Sequence, residues 1–290
     1  MKVEALDCSY RYRHFPKGEQ EEYAVYDIRL TILPSKIFGI VGANGAGKST
    51  LAYLLAGLLK PSKGLILADG KNIYTTRESL AAFRKSVALV PQFPEDQFFS
   101  SSICQELSFG LERGGSSRDE IQMRIAATLK LLGLEFDTKS LMGRSPFELG
   151  GGERRLISIA AALVAEPKIL ILDEPTARLD SKASQRIWEL ICELRQQLRL
   201  TIIIISHEME RLVCLVDWLV IMHQGKIVHQ GTPLEIFSKP AELKPLGLEW
   251  PQITLLGYKL EQFGIKHDHR PIFEPQEAAI LISKWFEERR

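Results

Sequence analysis

The 290-residue sequence is 45% hydrophobic and 25% charged and has a formal net charge of +1, a profile typical of a soluble globular protein of one or two domains. The balanced charge, with no dense run of Lys and Arg, argues against a nucleic-acid partner. The first ten residues, MKVEALDCSY, lack the apolar segment of a signal peptide, and the longest apolar runs, such as LTIIII at 200–205, are too short to span a bilayer.

The four cysteines are far apart in the sequence and form no CxxC pair. This spacing favours reduced thiols over disulfides or a zinc site. We therefore predict that four cysteine side chains fill the core: Cys8, Cys104, Cys192 and Cys214.

A glycine-rich loop stands between a predicted strand and a predicted helix in IFGIVGANGAGKSTLAYLLAGLL, residues 37–59. Its glycines permit a tight turn whose N–H groups point inward, and the helix N-terminus adds positive potential, so the segment predicts a phosphate-binding loop. Lys48 is expected to reach the β- and γ-phosphates, and Ser49 to hold Mg²⁺. The predicted nucleotide-binding residues of this loop are Gly42, Ala43, Asn44, Gly45, Ala46, Gly47, Lys48, Ser49 and Thr50.

Two kinds of secondary structure are predicted after this loop. The turn KPSKG at 60–64 leads into LILADGKNIY at 65–74, which predicts a strand and turn of an antiparallel subdomain. Residues from about 93 to 155 are predicted to be rich in helix, because they contain SSICQELSFGL and SRDEIQMRIAATLKLLGL. The second segment has apolar residues at helical spacing, namely Ile121, Ile125 and Leu129.

An acidic strand end follows in PKILILDEPTARLD, residues 167–180. Four apolar residues at 169–172 predict a buried parallel strand that delivers Asp173 and Glu174 to its carboxyl end, where ligands bind in open α/β sheets. We expect Asp173 to bind Mg²⁺ through water. Glu174 is expected to orient and deprotonate the water that attacks the γ-phosphate.

A third strand, within LTIIIISHEME at 200–210, ends just before Ser206 and His207. Taken alone, a histidine in this position is more often a surface or capping residue than a catalytic one. Three strands that end in phosphate-binding, acidic and imidazole groups nevertheless favour a single site, in which His207 could contact the γ-phosphate.

The C-terminal segment predicts two amphipathic helices after the linker SKPAELKPLG at 238–247. The first is closed by Gly264, and the second follows Pro275. Their apolar positions are Ile253, Leu256, Leu260 and Phe263 in the first helix and Ala278, Leu281, Ile282 and Trp285 in the second.

In this order and spacing the segments resemble the ATPase subunits of ATP-binding cassette (ABC) transporters, over residues 1–233. Tyr12 matches the aromatic residue that stacks on adenine, although neighbouring Tyr10 is the other candidate. Gln92 matches the Q-loop glutamine, a catalytic and Mg²⁺-binding position. LGGGE at 149–153 matches the LSGGQ signature, and ARLD at 177–180 matches the D-loop.

The resemblance implies an α/β fold: a P-loop NTPase core with a mainly parallel sheet and helices, an antiparallel β-subdomain, a helical signature subdomain and a short helical C-terminal tail. It divides the chain into an ABC ATPase domain at 1–237, with a helical subdomain at about 93–155, and a C-terminal extension at 238–290 that is a candidate dimer contact. It also implies that the signature caps the ATP held by another subunit. The residues implied to do so are Leu149, Gly150, Gly151, Gly152, Glu153 and, in the D-loop, Asp180.

Two positions depart from the family pattern. Most members have serine at the position of Gly150, and its hydroxyl bonds the γ-phosphate. As a helix N-cap, Gly costs only a few tenths of a kcal/mol relative to Ser, whereas a hydrogen bond to a charged phosphate contributes about 1.5–3 kcal/mol. We therefore expect the change to affect ATP clamping rather than folding. The second departure is Arg178, where the D-loop of the family usually has a small residue. Together the two departures suggest that the two ATP sites of the dimer are unequal, and hence a heterodimer with a related ATPase, although a homodimer stays possible.

Within the family, GRSPFELGGGERR at 143–155, PQFPEDQFF at 91–99 and DEPTARLD at 173–180 resemble the ATPases of energy-coupling-factor importers, which take up vitamins or transition-metal ions. This resemblance implies ATP and Mg²⁺ as cofactors and a location on the cytoplasmic face of the cell membrane. Its implied partners are a second ATPase subunit, a transmembrane coupling protein and a substrate-binding membrane protein. Glu95 and Asp96 are expected either to pair with an arginine of the coupling protein or only to cap a helix.

Other classes share some of these motifs. A mechanical ATPase of the DNA-repair type separates the P-loop from the signature by a long coiled coil, whereas about a hundred residues intervene here. A small-molecule kinase would lack the signature, the Q-loop and the D-loop. The alternative that stays open is the ATPase of another ABC importer or exporter, for metals, peptides or lipids.

Overall fold

The computed structural model describes residues 1–12, 23–93, 97–134, 142–238, 240–243, 246, 250–265 and 270–287. Its strands are β1 Val3–Tyr10, β2 Val25–Ile32, β3 Ile37–Gly42, β4 Lys63–Ala68, β5 Lys71–Asn72, β6 Val87–Val90, β7 Ile169–Asp173, β8 Thr201–Ile205, β9 Trp218–His223 and β10 Lys226–Gly231. Its helices are α1 Lys48–Leu55, α2 Arg77–Lys85, α3 Ile103–Arg113, α4 Arg118–Leu131, α5 Gly151–Leu163, α6 Ser181–Leu198, α7 Met209–Leu215, α8 Pro233–Phe237, α9 Pro240–Leu243, α10 Gln252–Gln262 and α11 Pro275–Glu287.

A six-stranded sheet with the order β10-β9-β3-β8-β7-β6 forms the centre of the fold. The strands from β9 to β6 in this order are parallel, and β10 pairs with β9 in the antiparallel direction. The carboxyl ends of β3, β8, β7 and β6 therefore lie at one edge of the sheet, which is where ligands bind in open α/β sheets. The sheet brings together four segments that are far apart in the sequence.

Both faces of this sheet are buried, because successive residues of its central strands enter two different cores. In β8, Ile202 and Ile204 belong to one core, whereas Ile203 and Ile205 belong to the other. Burial of each isoleucine stabilises the fold by about 1.5–3 kcal/mol relative to exposure. The first core continues into α3, α4, α5 and α6, and the second includes α1 and an antiparallel sheet of order β2-β1-β4-β5. These layers confirm the predicted α/β fold with a mainly parallel sheet and an antiparallel subdomain.

The segment between β6 and β7 is helical where the sequence predicted helices. The hydroxyl groups of Ser102 and Ser117 cap α3 and α4 by accepting hydrogen bonds from backbone N–H groups of the first turn. Three apolar residues of α4 are buried as their spacing indicated, namely Ile121, Ile125 and Leu129. The next helix, α5, begins after Gly150 and has no side-chain cap.

The C-terminal helices α10 and α11 share a small core of Leu260, Ile265, Ile272 and Ala278. Gly264 closes α10 with φ +81°, as predicted, and the N–H of Ile265 returns to the Leu260 carbonyl at 3.0 Å. Phe263, which the spacing assigned to the apolar face, is 76% exposed because it lies beyond the last turn. The tail also contacts the preceding domain, since the Tyr258 hydroxyl donates to the Phe237 carbonyl.

The cysteines depart in part from the prediction. All four are free thiols, but only Cys8 is buried, whereas Cys104, Cys192 and Cys214 are exposed. The prediction that they fill the core is therefore wrong for three of them. Each exposed cysteine follows a buried aliphatic residue on a helix, and a step of one residue turns a side chain by about 100° around the helix axis, which here takes the cysteine out of the core.

Within the described ranges, no helix combines the length and apolar character that a membrane crossing requires.

Candidate nucleotide-hydrolysis site

A cavity of about 250 Å³ lies at the carboxyl edge of the central sheet. The ends of β3, β6, β7 and the segment after β8 all contribute side chains to it, as the strand order requires. The predicted site residues that line it are Asn44, Gly45, Ala46, Gly47, Lys48, Ser49, Thr50, Gln92, Asp173, Glu174 and His207.

Close packing fixes two glycines of the loop between β3 and α1. A Cβ atom at Gly42 would lie 2.3 Å from the Met222 carbonyl oxygen, and one at Gly47 would lie 2.4 Å from the Ala24 carbonyl oxygen. Gly47 also has φ +94°, which side chains disfavour. Gly47 is the N-cap of α1 and has no side chain that could accept a hydrogen bond, so the first N–H groups of this helix have no side-chain cap. The residues of this first turn, Lys48, Ser49 and Thr50, line the cavity. Such a helix start is suited to a phosphate group.

Lys48 places a buried ammonium group inside this loop. Its Nζ donates to the carbonyl oxygens of Gly42 at 2.8 Å and Ala43 at 3.1 Å. Burial lowers the pKa of Lys48, while the carboxylates of Glu174 and Asp173 act in the opposite direction. An anion in the cavity would favour the charged form of this lysine.

The side chains of Asp173 and Ser49 are hydrogen-bonded to each other beside the loop. Asp173 is only 4% exposed, and burial raises its pKa, whereas a hydrogen bond with Ser49 and the charge of Lys48 lower it. A buried carboxylate and a hydroxyl are ligands that Mg²⁺ prefers, and Mg²⁺ in phosphate sites usually takes only one or two carboxylates.

Glu174 follows Asp173 in a strained conformation, with φ +48°. Its N–H donates to the Ile205 carbonyl at 2.8 Å, which fastens it to the end of β8. Burial raises the pKa of Glu174 to about 7, with a smaller opposing effect from the hydrogen bond donated by the His207 backbone. A carboxylate with this pKa is suited to proton transfer near neutral pH.

The carboxylate of Glu174 is incompletely satisfied. Its Oε2 accepts from the His207 backbone N–H at 3.4 Å. The His207 Nε2 lies 3.2 Å from Oε1, but Oε1 is buried and has no aligned hydrogen-bond donor among the residues that the structure describes. Oε1 thus lies against the His207 ring, while the Glu174 side chain lines the cavity.

Tyr12 lies beside the same loop, with its hydroxyl 3.3 Å from the Thr50 hydroxyl oxygen. Its ring packs edge-on against Tyr10 at 5.0 Å between centroids, and Tyr12 is exposed. That the ring of Tyr12 stacks on the base of a loop-bound nucleotide stays a prediction.

The glycine-rich segment at 149–153 does not line this cavity. It forms the start of α5, where Glu153 Oε2 accepts from the Gly150 N–H at 3.0 Å. Asp180 is also outside the cavity and caps α6 through a 2.9 Å hydrogen bond from the Ala183 N–H. Within one chain, the predicted nucleotide contacts at 149–153 and at Asp180 thus lie apart from those that line the cavity.

Sequence reasoning missed Arg155, which is only 3% exposed. Its guanidinium donates to the carbonyls of Pro91 at 3.0 Å, Gln92 at 2.9 Å and Ala177 at 3.5 Å, and so joins the Q-loop and the D-loop to α5. The available signal was its position four residues before buried Ile159, on the apolar face of the helix.

Sequence reasoning also missed Glu208, next to His207. Its carboxylate accepts from Trp188 Nε1 at 3.2 Å and from the Thr176 hydroxyl. These contacts hold the segment after β8 against the segment after β7. A charged residue beside a candidate catalytic histidine was the only signal for this role.

A family model, curated proteins and solved structures all relate this chain to ABC transporters. Residues 25–177 match the family model described as ABC transporter. The chain is 41% identical over 242 residues to the energy-coupling factor transporter ATP-binding protein EcfA2 of Caldanaerobacter subterraneus subsp. tengcongensis, covering 83% of this chain and 84% of the relative. It is 38% identical over 295 residues to EcfA2 of Bacillus licheniformis, covering 99% of both chains.

Solved structures give the same picture. The cbiO1 protein of Clostridium perfringens, described as part of the ABC transporter complex cbiONQ, matches with a TM-score of 0.72 and 34% identity over 89% of this chain and 98% of that one. The ATP-binding cassette MJ0796, a dimer bound to ADP and Pi, matches with a TM-score of 0.68 over 80% of this chain and 98% of its own. At 24% identity, the second likeness concerns the fold alone.

Proposed function

We propose that this chain, which belongs to the family of ABC transporter ATPases, is the ATP-hydrolysing subunit of an energy-coupling-factor importer. The observation that supports ATP hydrolysis is that the phosphate-binding loop, Lys48 and the partly buried Glu174 line one cavity. The observation that carries the branch is similarity to EcfA2 proteins along almost the whole chain.

ATP binding follows from the loop between β3 and α1. The N–H groups of the loop and of the first turn of α1 would cradle the phosphates, since both carry positive potential and the helix lacks a side-chain cap. Lys48 would exchange its two carbonyl acceptors for the β- and γ-phosphates. Tyr12 would stack on adenine at the outer end of the site.

Ser49, Asp173 and Gln92 would hold Mg²⁺, with Asp173 acting through water. When bound, the ion would neutralise phosphate charge as the bond to the leaving group lengthens. The Ser49 and Asp173 oxygens already lie within hydrogen-bond distance of each other, so they are placed to share one ligand.

Glu174 is the proposed general base. A water held in the cavity by the Glu174 carboxylate would lose a proton to it as the water oxygen forms a bond to the γ-phosphorus. The bond from the γ-phosphorus to the bridging oxygen then breaks, which releases ADP and phosphate. His207 touches the base and the cavity, so it is placed to contact the γ-phosphate and respond to its loss.

A second ATPase subunit is needed in this proposal, because the signature residues lie outside the cavity of their own chain. In a head-to-tail pair, the start of α5 from one subunit would cap the ATP on the loop of the other. Gly150 and Arg178 favour a heterodimer of unequal sites, and a homodimer is the alternative. The tail at 238–290 would add to the contact between subunits, since Phe263, which follows α10, and Ile280 and Phe286 on α11 are exposed.

The proposed membrane partners are a transmembrane coupling protein and a substrate-binding membrane protein, with this subunit on the cytoplasmic face. Phe99 and Phe147 are exposed near the Q-loop and offer an apolar surface to such a partner. Glu95 and Asp96, expected to pair with an arginine there, lie outside the described residues, and this role stays a prediction. The transported solute would be a vitamin or a transition-metal ion.

Co-purification tests this function directly. The tagged chain, extracted with its membrane in mild detergent, should bring down a related ATPase, a coupling protein and a small substrate-binding membrane protein. Reconstituted in vesicles, the complex should take up its solute only with hydrolysable ATP. A complex that lacks a separate small substrate-binding membrane protein would instead favour another class of ABC transporter.

A further inference from the structure

The side chain of Arg178 packs on the ring of Phe93. Its guanidinium carbon lies 4.3 Å from the ring centroid, which is a close cation–π contact. Phe93 follows Gln92 in the Q-loop, and Arg178 is the second residue of the D-loop. The stack therefore joins two loops that are 85 residues apart in the sequence.

Arg178 also has an unusual backbone, with φ +62°. A residue with a Cβ is strained in this left-handed region, and such strain persists only where the surroundings hold the residue in place. Glycine would adopt the same conformation freely. The side chain of Arg178 packs on the ring of Phe93, and this contact helps to hold the arginine in its strained conformation.

The same two loops are joined a second time by Arg155, through the carbonyls of Gln92 and Ala177. The N–H of Ala177 in turn donates to the Glu174 carbonyl at 3.1 Å, so the D-loop begins in a turn fastened to the proposed base. A cavity of about 100 Å³ separates the stack from the start of α5, and both Gly151 and Phe93 line it.

We propose that Arg178 and Phe93 form a clasp that sets the position of Gln92 relative to Glu174, so that Arg178 is a positioning residue for ATP hydrolysis. This inference rests on the proposed function. Gln92 and Glu174 line the same cavity, Phe93 directly follows Gln92, and Arg178 directly follows Ala177, whose N–H donates to the Glu174 carbonyl. Arg178 itself does not line the nucleotide cavity, so its effect is transmitted through the Q-loop.

Steady-state kinetics of the purified full chain, with any ATPase subunit that accompanies it, test the clasp. Arg178→Gly and Phe93→Leu should each lower kcat for ATP by about two- to fivefold, a range that matches the strength of a cation–π contact at an exposed arginine, and should leave KM within about twofold. Phe93→Tyr keeps the ring and should retain the wild-type kcat. The double variant should be no slower than either single variant, because both remove one contact.

Two controls separate positioning from folding. Arg178→Gly relieves backbone strain, so its melting temperature should not fall below that of the wild type. Arg113→Ala removes another arginine stacked on a phenylalanine, Arg113 on Phe109 at 4.9 Å, on α3 and away from the cavity. It should leave kcat unchanged.

A wild-type kcat in Arg178→Gly would overturn the clasp, as would additive losses in the double variant or equal losses in Phe93→Tyr and Phe93→Leu. In all three cases the wild-type protein would still hydrolyse ATP, so the proposed function would stand. If the wild-type chain hydrolysed no ATP, or Lys48→Ala changed nothing, the proposed function would fail first.

Discussion

His207 touches Glu174 twice at the edge of the central sheet: its backbone N–H lies 3.4 Å from Oε2, and its ring Nε2 lies 3.2 Å from Oε1. Glu174 directly follows β7 and His207 lies two residues after β8, and the parallel register places the ends of these two strands side by side. Because the His207 ring contacts Glu174 and also lines the cavity, a change at either place alters the surroundings of the ring.

Glu174→Gln should abolish most hydrolysis while ATP binding survives. Glutamine has nearly the same shape but cannot accept the proton of the attacking water, so kcat should fall by orders of magnitude. ATP binding should be intact or prolonged, since the phosphate-binding loop is unchanged. Parallel assays of ATP turnover and nucleotide affinity check this, and a variant rate within a few-fold of the wild type would remove Glu174 from the role of base.

The rate should also depend on pH through Glu174. Burial raises the pKa of this carboxyl to about 7, and only its deprotonated form can act as a base. We therefore expect kcat/KM to rise as the pH increases through about 7 and then to level off. The residual activity of Glu174→Gln, measured in the same buffers, corrects for titration of ATP itself. A wild-type profile with no rise in this interval would contradict the assignment.

Stability should show the opposite trend. Because the folded-state pKa of Glu174 is about 7 and its ordinary value is 4.5, the folded state binds more protons between these pH values than the unfolded state does. This group therefore lowers the free energy of unfolding as the pH rises, by up to about 3 kcal/mol. Glu174→Gln should match the wild type near pH 4.5 and be more stable above pH 7, as measured by urea unfolding. If the free energy of unfolding depended on pH in the same way in both proteins, Glu174 would not be a carboxylate whose charged form is destabilised by burial.

Lys48→Ala should weaken nucleotide binding itself, in contrast to the change at Glu174. The lysine is the buried cation of the loop, and its loss removes a charge-assisted contact to the phosphates. Equilibrium binding of a fluorescent ATP analogue should show at least tenfold lower affinity, on the order of 1.5–3 kcal/mol. Lys85→Ala, at an exposed lysine on α2, is the matched control and should bind normally. Unchanged affinity in Lys48→Ala would refute the loop as the phosphate site.

The sequence predicted the parts of this site better than their contacts. Strand periodicity placed Asp173, Glu174 and His207 at strand ends, and a parallel sheet then had to bring those ends to one edge. Periodicity gives the face on which a residue lies but not the distance between loops. The buried links of Arg155 and the stack of Arg178 on Phe93 therefore could not be found in advance.

The sequence also misled where one helical position decides between core and solvent. Cys104, Cys192 and Cys214 lie one residue beyond core positions, so hydrophobicity alone assigned them to the wrong side. Phe263 fitted the spacing of α10 but follows its last turn. For the cysteines, residue type was given more weight than the angular position that helix geometry sets, and for Phe263 the spacing was continued past the end of the helix.

The last prediction concerns Gly150→Ser. Gly150 has φ −65° and ψ 161°, a conformation open to any residue, and an added Cβ would lie 3.6 Å from Glu153 Oε2 in ordinary contact. Serine is a good N-cap, so stability should be equal or higher by a few tenths of a kcal/mol. If the site lacks a hydroxyl bond to the γ-phosphate, the variant should tighten ATP-induced closure of the dimer by about tenfold, which corresponds to about 1.4 kcal/mol.

Closure is best measured in the Glu174→Gln background, where ATP is bound but not consumed, by the ATP concentration that drives dimer formation. Gly150→Ala supplies the Cβ without the hydroxyl, so it should not tighten closure, and it should lower stability because alanine is a poor N-cap. If Gly150→Ser and Gly150→Ala behaved alike, with closure and ATPase rate at the wild-type level, the N–H groups of Gly151 and Gly152 would already suffice for the γ-phosphate. The proposal of unequal sites, and with it the preference for a heterodimer, would then lose its main support.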